Sequence, residues 1–304
     1  MFFWLFRIVY DGATLLLPVV LVVGAAWTFR ENRRRAAWTV ALAVLAVATR
    51  IYATHVEPQR LQIHQEAVAT DAPDAPPIRV LHLSDIQTDA VGAWEARVID
   101  EALALEPDLV VHTGDLLHPI APATVRSELP KITSELARFG AVPLVTVDGD
   151  TDGWMGGEEV AGMQLLMNRA LRLEVKGRTV SIFGLALFRS AEGARGLIEP
   201  WLAEQPADAV TIVIGHRPDF ALELAGLDVD LALAGHTHGG QIRLPFIGPL
   251  LTLSNVPREW ARGFRTVHDG IHLNVSAGIG AEHAAGLPSI RFLCPPEMTL
   301  IEVH

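Results

Sequence analysis

The sequence predicts an α/β fold whose sheets are covered by helices, and two observations support this class. Beyond residue 77, short apolar runs alternate with segments of helical spacing, as in folds that wrap helices around a sheet. The last apolar runs follow one another without long helices between them, so part of the sheet structure should be antiparallel.

The individual elements follow from the spacing of apolar residues. Strands are expected at Ile78–Leu83, Asp108–Thr113, Ala141–Val147, Val180–Leu187, Ala209–Ile214, Leu231–Ala234, Ile271–Val275 and Met298–Val303. Helices are expected at Ala93–Leu105, Ser127–Phe139, Glu158–Leu171 and Glu192–Glu204. Residues 55–77 form a connector in which Leu61 and Ile63 alternate with polar neighbours, which indicates a short edge strand.

The N-terminal segment is strongly apolar. Residues 12–29 carry no charge and are about as long as a membrane-spanning helix requires. An Arg-rich turn at residues 30–35 separates them from a second apolar stretch, Ala36–Ala48. Residues 1–54 are therefore predicted to be a transmembrane helical hairpin that anchors the chain. The alternatives are a cleaved signal peptide, or one span followed by an interfacial helix.

Charge is distributed unevenly between this anchor and the rest of the chain. Residues 1–54 contain six Arg and two acidic residues, a net charge of +4, whereas the whole chain carries −11, so the remainder carries −15. A domain this acidic argues against nucleic acid as the main partner. The single cysteine, Cys294, excludes an intrachain disulfide and a cysteine-rich zinc site.

Side chains that can bind metal ions follow five of the predicted strands, at the point where each strand ends. They are Asp85 and Gln87, Asp115, Asp150 and Asp152, His216, and His236 with His238. Any one of them alone would be interpreted as a turn residue or a surface histidine. Five in succession favour one shared site, because open α/β sheets bind ligands at the carboxyl ends of their strands. Asp and His ligands together suit Mn, Fe or Zn, and this many ligands suit two ions.

In this order the motifs resemble the calcineurin-like metallophosphoesterase superfamily over residues 78–304. The bacterial membrane-attached phosphodiesterase branch is indicated by Gly235-His-Thr-His-Gly-Gly-Gln-Ile-Arg-Leu-Pro, Ser276-Ala-Gly-Ile-Gly, Ile290-Arg-Phe and Pro295-Pro-Glu-Met-Thr. The resemblance implies a four-layer α/β/β/α sandwich and two divalent metal ions, with Mn expected first and Zn or Fe as alternatives. It also implies hydrolysis of a phosphate ester by a water molecule that the metals activate. The predicted membrane anchor favours a lipid-linked phosphodiester or pyrophosphate as the substrate.

The resemblance also assigns the ligands. One metal would take Asp85, Gln87, Asp115 and His238, and the other would take Asp115, Asp150, His216 and His236. Asp115 would therefore bridge both ions. For a bacterial protein, the positive-inside rule would hold the Arg-rich turn in the cytoplasm and place the large domain on the outer side of the cytoplasmic membrane.

Three positions depart from the family pattern. Gln87 replaces a His, and its neutral amide oxygen is a weaker ligand than imidazole. Asp150 replaces an Asn and adds a charge. Thr151 replaces the His that assists the leaving group in the family, a role that Asp152 or His118 would have to fill.

Two further features leave alternatives open. Arg243, just after the His pair, is either a contact for a second phosphate group or a solvated surface residue. The changes at Gln87 and Thr151 also allow a second function, that of a non-catalytic metal-binding or regulatory module at the membrane. The otherwise complete ligand set favours the enzyme.

Overall fold

A computed structural model describes residues 7–8, 10–29, 32–70, 76–118, 122–155, 159–268, 270–283 and 288–304. Three parts of the sequence predictions lie outside these residues. They are Arg30 and Glu31 of the Arg-rich turn, residues 71–75 of the connector, and Glu158 at the start of one predicted helix.

Two helices that contact each other form the N-terminal part of the chain. A π turn at Gly12–Leu16 continues into α1 (Leu17–Thr28), and Asn32 caps the next helix, α2 (Arg33–Ile51). The run Arg33–Gln59 is the one helical segment among the described residues that is long and apolar enough, by length and composition, to cross a membrane. The segment Gly12–Thr28 is a shorter apolar helix.

The helix α2 continues past the end of the predicted apolar stretch at Ala48 and includes Arg50, which has polar partners on the other helix. Its guanidinium lies 3.2 Å from Asp11 and donates to the Thr14 hydroxyl at 2.6 Å. A charge that is paired in this way can remain in a helix whose neighbouring side chains are apolar.

The remaining helices and the strands follow in sequence. The helices are α3 (Ala93–Leu103), α4 (Pro122–Leu136), α5 (Leu187–Ala191) and α6 (Arg195–Leu202). The strands are β1 (Gln62–Val68), β2 (Ile78–Leu83), β3 (Leu109–His112), β4 (Leu144–Thr146), β5 (Glu159–Val160), β6 (Met163–Leu165), β7 (Arg169–Val175), β8 (Arg178–Gly184), β9 (Val210–Ile214), β10 (Leu231–Ala234), β11 (Arg243–Leu244), β12 (Gly248–Pro249), β13 (Gly263–Val267), β14 (Ile271–Val275) and β15 (Glu297–Val303).

The strands form two large mixed sheets and one small hairpin. The first sheet has the order β1-β15-β2-β3-β4-β6-β5, and the second has the order β13-β14-β10-β9-β8-β7. Strands β2, β3, β4 and β6 run parallel, as do β8, β9, β10 and β14. Antiparallel pairs lie towards the sheet margins, such as β15 with β2 and β7 with β8. The α/β class and the partly antiparallel pairing predicted from the sequence are confirmed.

Buried apolar side chains show the order of the layers. Residues such as Val111 in β3 and Ile212 in β9 fill the space between the two sheets. Ile99 of α3 and Ile132 of α4 pack on the outer face of the first sheet. Trp201 of α6 packs on the outer face of the second. The layers therefore run helix, sheet, sheet, helix, with the parallel strands at the centre.

The helix predicted at Glu158–Leu171 is wrong, because the described part of that segment folds as β5, β6 and the start of β7. Its apolar residues had suggested a helical period. Left-handed backbone at Ala161, Gly162 and Asn168 (φ 53°, 79° and 55°) turns the chain twice within eight residues, which no helix can accommodate.

The other two long helices have different bounds from those predicted. The helix expected at Ser127–Phe139 begins earlier, since α4 starts at Pro122, and a 3₁₀ turn forms its end. The helix expected at Glu192–Glu204 is shorter, since α6 spans Arg195–Leu202, and Gly193, with a φ of 76°, separates it from α5.

Candidate metal centre

The polar residues predicted to form a site lie where β2, β3 and β4 of one sheet and β9 and β10 of the other end. Several of them have left-handed backbone: Asp85, Gln87, Asp115, His236 and His238, with φ between 43° and 69°. Non-glycine residues in this region are uncommon and cost of order 1 kcal/mol or more each. The chain therefore accepts local strain at the ends of the strands that carry the candidate ligands.

Two glycines allow the loops to approach one another closely. A Cβ at Gly149 would lie 2.2 Å from Asp115 Oδ1, and a Cβ at Gly235 would lie 2.3 Å from Asp85 Oδ2. Neither position can hold a side chain unless a carboxylate moves. These glycines thus permit the contact between neighbouring strand ends.

One group of donor atoms comes from β4, β9 and β10. His236 Nδ1 lies 2.6 Å from Asp150 Oδ2, and His216 Nε2 lies 3.5 Å from the same oxygen. The donor atoms of these three residues all lie within 4.8 Å of one another. Two imidazoles and a carboxylate at this spacing suit a divalent transition metal.

A second group comprises Asp85, Asp115 and His216, whose donor atoms also lie within 4.8 Å of one another. His216 Nε2 lies 3.6 Å from Asp115 Oδ2. The other ring nitrogen, Nδ1, faces the carbonyl of Thr113 at 2.8 Å and donates to it. A metal ion at the centre would take the place of the proton on Nε2, and this buried atom has no hydrogen-bond partner among the described residues. Such an outer hydrogen bond is typical of metal-binding histidines.

Gln87 and His238 border this second group. His238 Nε2 lies 3.5 Å from Asp85 Oδ1. The amide nitrogen of Gln87 donates to Asp115 Oδ2 at 3.3 Å and to Glu282 Oε2 at 2.7 Å, whereas its buried oxygen has no partner among the described residues. Gln87 thus contacts Asp115, and His238 of the second sheet lies beside Asp85 of the first.

Buried negative charge dominates the electrostatics of the centre. Burial alone would lower the pKa of His216, but Asp115, Asp150 and Asp85 outweigh it and raise the pKa to about 10. Burial would raise the pKa of Asp150, yet its contacts with His216 and His236 hold that pKa well below its ordinary value. Burial raises the pKa of Asp85 to about 6, although His216 opposes the rise. A divalent cation would neutralise these clustered carboxylates, so the residues present fit a metal ion.

Asp152, which follows the same strand as Asp150, lies in a different environment. Its carboxylate accepts the backbone N–H groups of Asp115 (2.6 Å), Leu116 (3.2 Å) and Gly149 (3.0 Å). Burial, reinforced by Asp115, raises its pKa to about 7. Its contacts make it a brace between the loops that follow β3 and β4.

The structure also shows the environment of the residues proposed to assist the leaving group. The Thr151 hydroxyl donates to the carbonyl of Leu117 at 2.7 Å, and its backbone N–H donates to Asp115 Oδ1 at 2.8 Å. The His118 ring lies against that of His283, with 4.4 Å between centroids. Arg243 donates to the carbonyl of Gly239 at 2.8 Å, next to His238.

Two features of the site escaped the sequence predictions. The first is Glu282, a half-buried carboxylate whose pKa is raised by burial although the hydrogen bond from Gln87 opposes the rise. It follows no strand, so the pattern of strand ends could not identify it.

The second feature is a buried chain of hydrogen bonds that ends on Asp85. The Thr113 hydroxyl donates to Ser84 Oγ at 2.7 Å, and the Ser84 hydroxyl donates to Asp85 Oδ2. Since the Thr113 proton is used in this way, Thr113 accepts from His82 Nε2 at 2.9 Å. Asn274 in turn donates to His82 Nδ1 at 2.7 Å. The only sequence signal was the presence of polar residues within apolar runs.

Comparison with known proteins matches this architecture to one family. A model of the calcineurin-like phosphoesterases matches residues 78–240. The chain is 30% identical over 233 residues to the uncharacterized metallophosphoesterase YkuE of Bacillus subtilis, covering 72% of this chain and 74% of that protein. It is 26% identical over 285 residues to the phosphodiesterase YaeI of Escherichia coli, covering 90% and 99%.

A shorter match extends the comparison. Over 96 residues the chain is 34% identical to the UDP-2,3-diacylglucosamine pyrophosphatase LpxG of Chlamydia trachomatis, covering 30% of this chain and 28% of that protein. The family match spans every strand end from Asp85 to His238. The chain belongs to the calcineurin-like phosphoesterases and is a metal-dependent phosphoester hydrolase.

Proposed function

We propose that the protein is a membrane-anchored, two-metal hydrolase of a phosphodiester or pyrophosphate that carries an apolar group. The proposal rests on two groups of three donor atoms at the strand ends of the two sheets. Both groups include His216. Each group of three donor atoms suits one ion, and two groups that share a residue suit a pair of neighbouring ions.

The ligands proposed for the two ions follow from the family motifs, which share Asp115 between the ions and assign His216 to one of them. One ion is held by Asp85, Gln87, Asp115 and His238, and the other by Asp115, Asp150, His216 and His236. Mn is the first candidate because carboxylate, carbonyl and imidazole donors are combined, and Zn and Fe are the alternatives.

Divalent ions at such a site bind phosphoryl oxygens and activate water for attack on phosphorus. The side chains of the protein hold the site in place. Thr113 fixes the His216 ring, the carbonyl of Leu253 faces His236 Nε2 at 3.1 Å, and Ser84 orients Asp85. These contacts leave His216 Nε2 and His236 Nδ1 directed towards the carboxylates of the centre.

Thr151 favours a substrate with a good leaving group. Its hydroxyl is engaged with a backbone carbonyl, so it does not replace the proton donor of the family pattern. Cleavage of a pyrophosphate releases a phosphate, which departs without strong protonation, whereas the alkoxide released from an alkyl phosphodiester requires it. The local similarity to a pyrophosphatase of a diacylated sugar nucleotide supports the same substrate class.

The N-terminal helices are proposed as the membrane anchor. Large apolar side chains along both helices are exposed, among them Val20 and Val23 of α1 and Leu42 and Leu45 of α2. The helix α2 spans about 28 Å at 1.5 Å per residue, close to the thickness of a hydrocarbon core. By the positive-inside rule, the arginines before and within the first turn of α2 support a cytoplasmic position for that end and an extracytoplasmic position for the large domain.

Metal titration of the full chain in detergent tests the proposal. The metal-free protein should not hydrolyse bis(p-nitrophenyl) phosphate, and Mn²⁺ should restore turnover with two ions bound per chain by elemental analysis. Asp115→Asn should lower turnover by about a hundredfold or more, since it removes the carboxylate proposed to contact both ions. The exposed Asp228→Asn is the control. Equal turnover of the metal-free and Mn²⁺-loaded protein would contradict the proposal.

A further inference from the structure

An exposed apolar segment lies beside the metal centre. We call residues 245–253 the apolar rim. It contains the tip of the β11–β12 hairpin, the second strand, and the residues that follow it. Its exposed large side chains are Phe246, Ile247, Leu250, Leu251 and Leu253. Phe246 is fully exposed, at a left-handed position (φ 66°) of the hairpin tip. Apolar patches of this kind on a protein surface usually mark an interaction site.

One end of the apolar rim is attached to the N-terminal helices. Ile242, just before β11, packs with Phe292 against Ala53 and Tyr10 at the domain end of the helices. The ring of Tyr52 meets that of Phe292 edge to face, at 6.3 Å between centroids. Phe246 follows Ile242 by four residues, so it lies within about 14 Å of this junction.

The other end of the apolar rim contacts the metal centre. The carbonyl of Leu253 faces His236 Nε2 at 3.1 Å. Gly240, two residues after His238, lies so close to Pro249 that a Cβ there would come within 2.3 Å of the proline side chain. Pro249 and Leu253 therefore border the site, whereas Phe246 and Ile247 lie at the exposed tip of the hairpin.

These two attachments identify a lipid surface as the occupant of the patch. A protein partner would need a polar border and hydrogen-bonding groups, but the exposed side chains of the apolar rim are aliphatic or aromatic. Their position beside the end of two apolar helices is that of a loop at the membrane interface.

We infer that the apolar rim inserts into the lipid surface in which the helices are anchored, so that the metal centre receives its substrate from the membrane. The phosphoryl group enters the site while the apolar part of the substrate stays in the lipid. The inference rests on the proposed function and specifies how the substrate reaches the site.

Depth-dependent fluorescence quenching tests the insertion directly. The full chain carrying Phe246→Cys is labelled with bimane and reconstituted into vesicles of phosphatidylethanolamine and phosphatidylglycerol that contain a nitroxide-labelled lipid. Cys294 is fully buried, so the parent chain serves as the labelling control. The matched control is Phe188→Cys, whose side chain is 82% exposed on α5, and Val44→Cys in α2 reports insertion of the helices. The nitroxide lipid should quench the probe at position 246 but not the probe at position 188.

Failure of this inference can be distinguished from failure of the proposed function. An unquenched probe at position 246, with a quenched probe at position 44, would overturn the insertion of the rim. Turnover of bis(p-nitrophenyl) phosphate by the same preparation would show that the hydrolase proposal still holds.

A substrate comparison gives the second test. The double variant Phe246→Ser, Ile247→Ser should lower turnover of hexadecyl p-nitrophenyl phosphate dispersed in these vesicles by about tenfold or more, because it removes two lipid-inserting side chains. Turnover of the soluble bis(p-nitrophenyl) phosphate should stay unchanged. An equal loss on both substrates would assign the segment a structural role and overturn the inference.

Discussion

Gln87 replaces the histidine of the family pattern, and its side chain still contacts Asp115 of the candidate metal centre. Its amide nitrogen bridges the carboxylates of Asp115 and Glu282. An imidazole that binds a metal carries at most one N–H, so a histidine at this position could not donate to both Asp115 and Glu282 as Gln87 does. Sequence reasoning identified the substitution at Gln87, but it could not identify Glu282, because that partner lies 195 residues away in a loop without a recognisable pattern.

Replacement of Gln87 by histidine should therefore change metal preference. Imidazole suits Zn²⁺ better than an amide oxygen does, whereas Mn²⁺ accepts oxygen donors readily. Gln87→His is expected to raise the affinity for Zn²⁺ relative to Mn²⁺ by about tenfold or more. Competition titration with a chromophoric chelator measures the ratio. The exposed Gln65→His is the control for an added surface imidazole, and an unchanged ratio in Gln87→His would argue against a ligand role for this position.

At the scale of elements, the ends of the central parallel strands were the most predictable part of the molecule. Strands β3 and β9 are buried along their whole length and are mostly apolar. Gly215 and His216 follow β9 directly, and Gly114 and Asp115 follow β3 after one residue. The segment 158–171 was predicted wrongly because its apolar residues fit a helical period as well. The alternation of Leu171, Leu173 and Val175 on one face of β7 was the signal that distinguished a strand.

The turn after β4 depends on glycine for a steric reason that can be tested. A Cβ at Gly149 would lie 2.2 Å from Asp115 Oδ1 and 2.5 Å from the Asp115 backbone nitrogen. Gly149→Ala should therefore displace the Asp115 carboxylate and weaken Mn²⁺ binding by about tenfold or more, with little change in secondary structure. Isothermal titration and circular dichroism measure the two effects.

The matched control for this variant lies four residues away. A Cβ at Gly153 meets nothing within 4 Å, so Gly153→Ala should bind Mn²⁺ as the parent does. Equal affinities of Gly149→Ala and the parent would show that the turn can relax, and the close approach would then not matter for binding.

For the molecule as a whole, the buried polar groups tie stability to pH. His82 and His112 lie in the central strands of the first sheet, and burial lowers the pKa of each to about 3, with Glu297 opposing the effect at His82. Both rings are thus neutral in the folded protein at neutral pH. In the unfolded chain they titrate near 6.5.

The free energy of unfolding depends on pH because the folded and unfolded chains bind different numbers of protons. Between pH 6.5 and 3 the unfolded chain binds a proton at His82 that the folded chain does not, so this group makes the free energy of unfolding fall as the pH falls. The slope is about 1.4 kcal/mol per pH unit. The raised pKa values of Asp85 and Asp152 act in the opposite direction, so the contribution of His82 is best isolated by comparison with a variant.

His82→Gln is the suitable variant, because a glutamine can donate to Thr113 and accept from Asn274 as the neutral histidine does. On lowering the pH from 7 to 5, the stability of the parent relative to this variant should fall by about 2 kcal/mol. Denaturant unfolding of the full chain in detergent, followed by tryptophan fluorescence, measures the difference. The exposed His268→Gln should follow the parent across this range. If the free energies of unfolding of the parent and His82→Gln changed equally with pH, the buried His82 ring would accept a proton at no cost in stability. The chain of hydrogen bonds from His82 to Asp85 could then not depend on the neutral form of the ring.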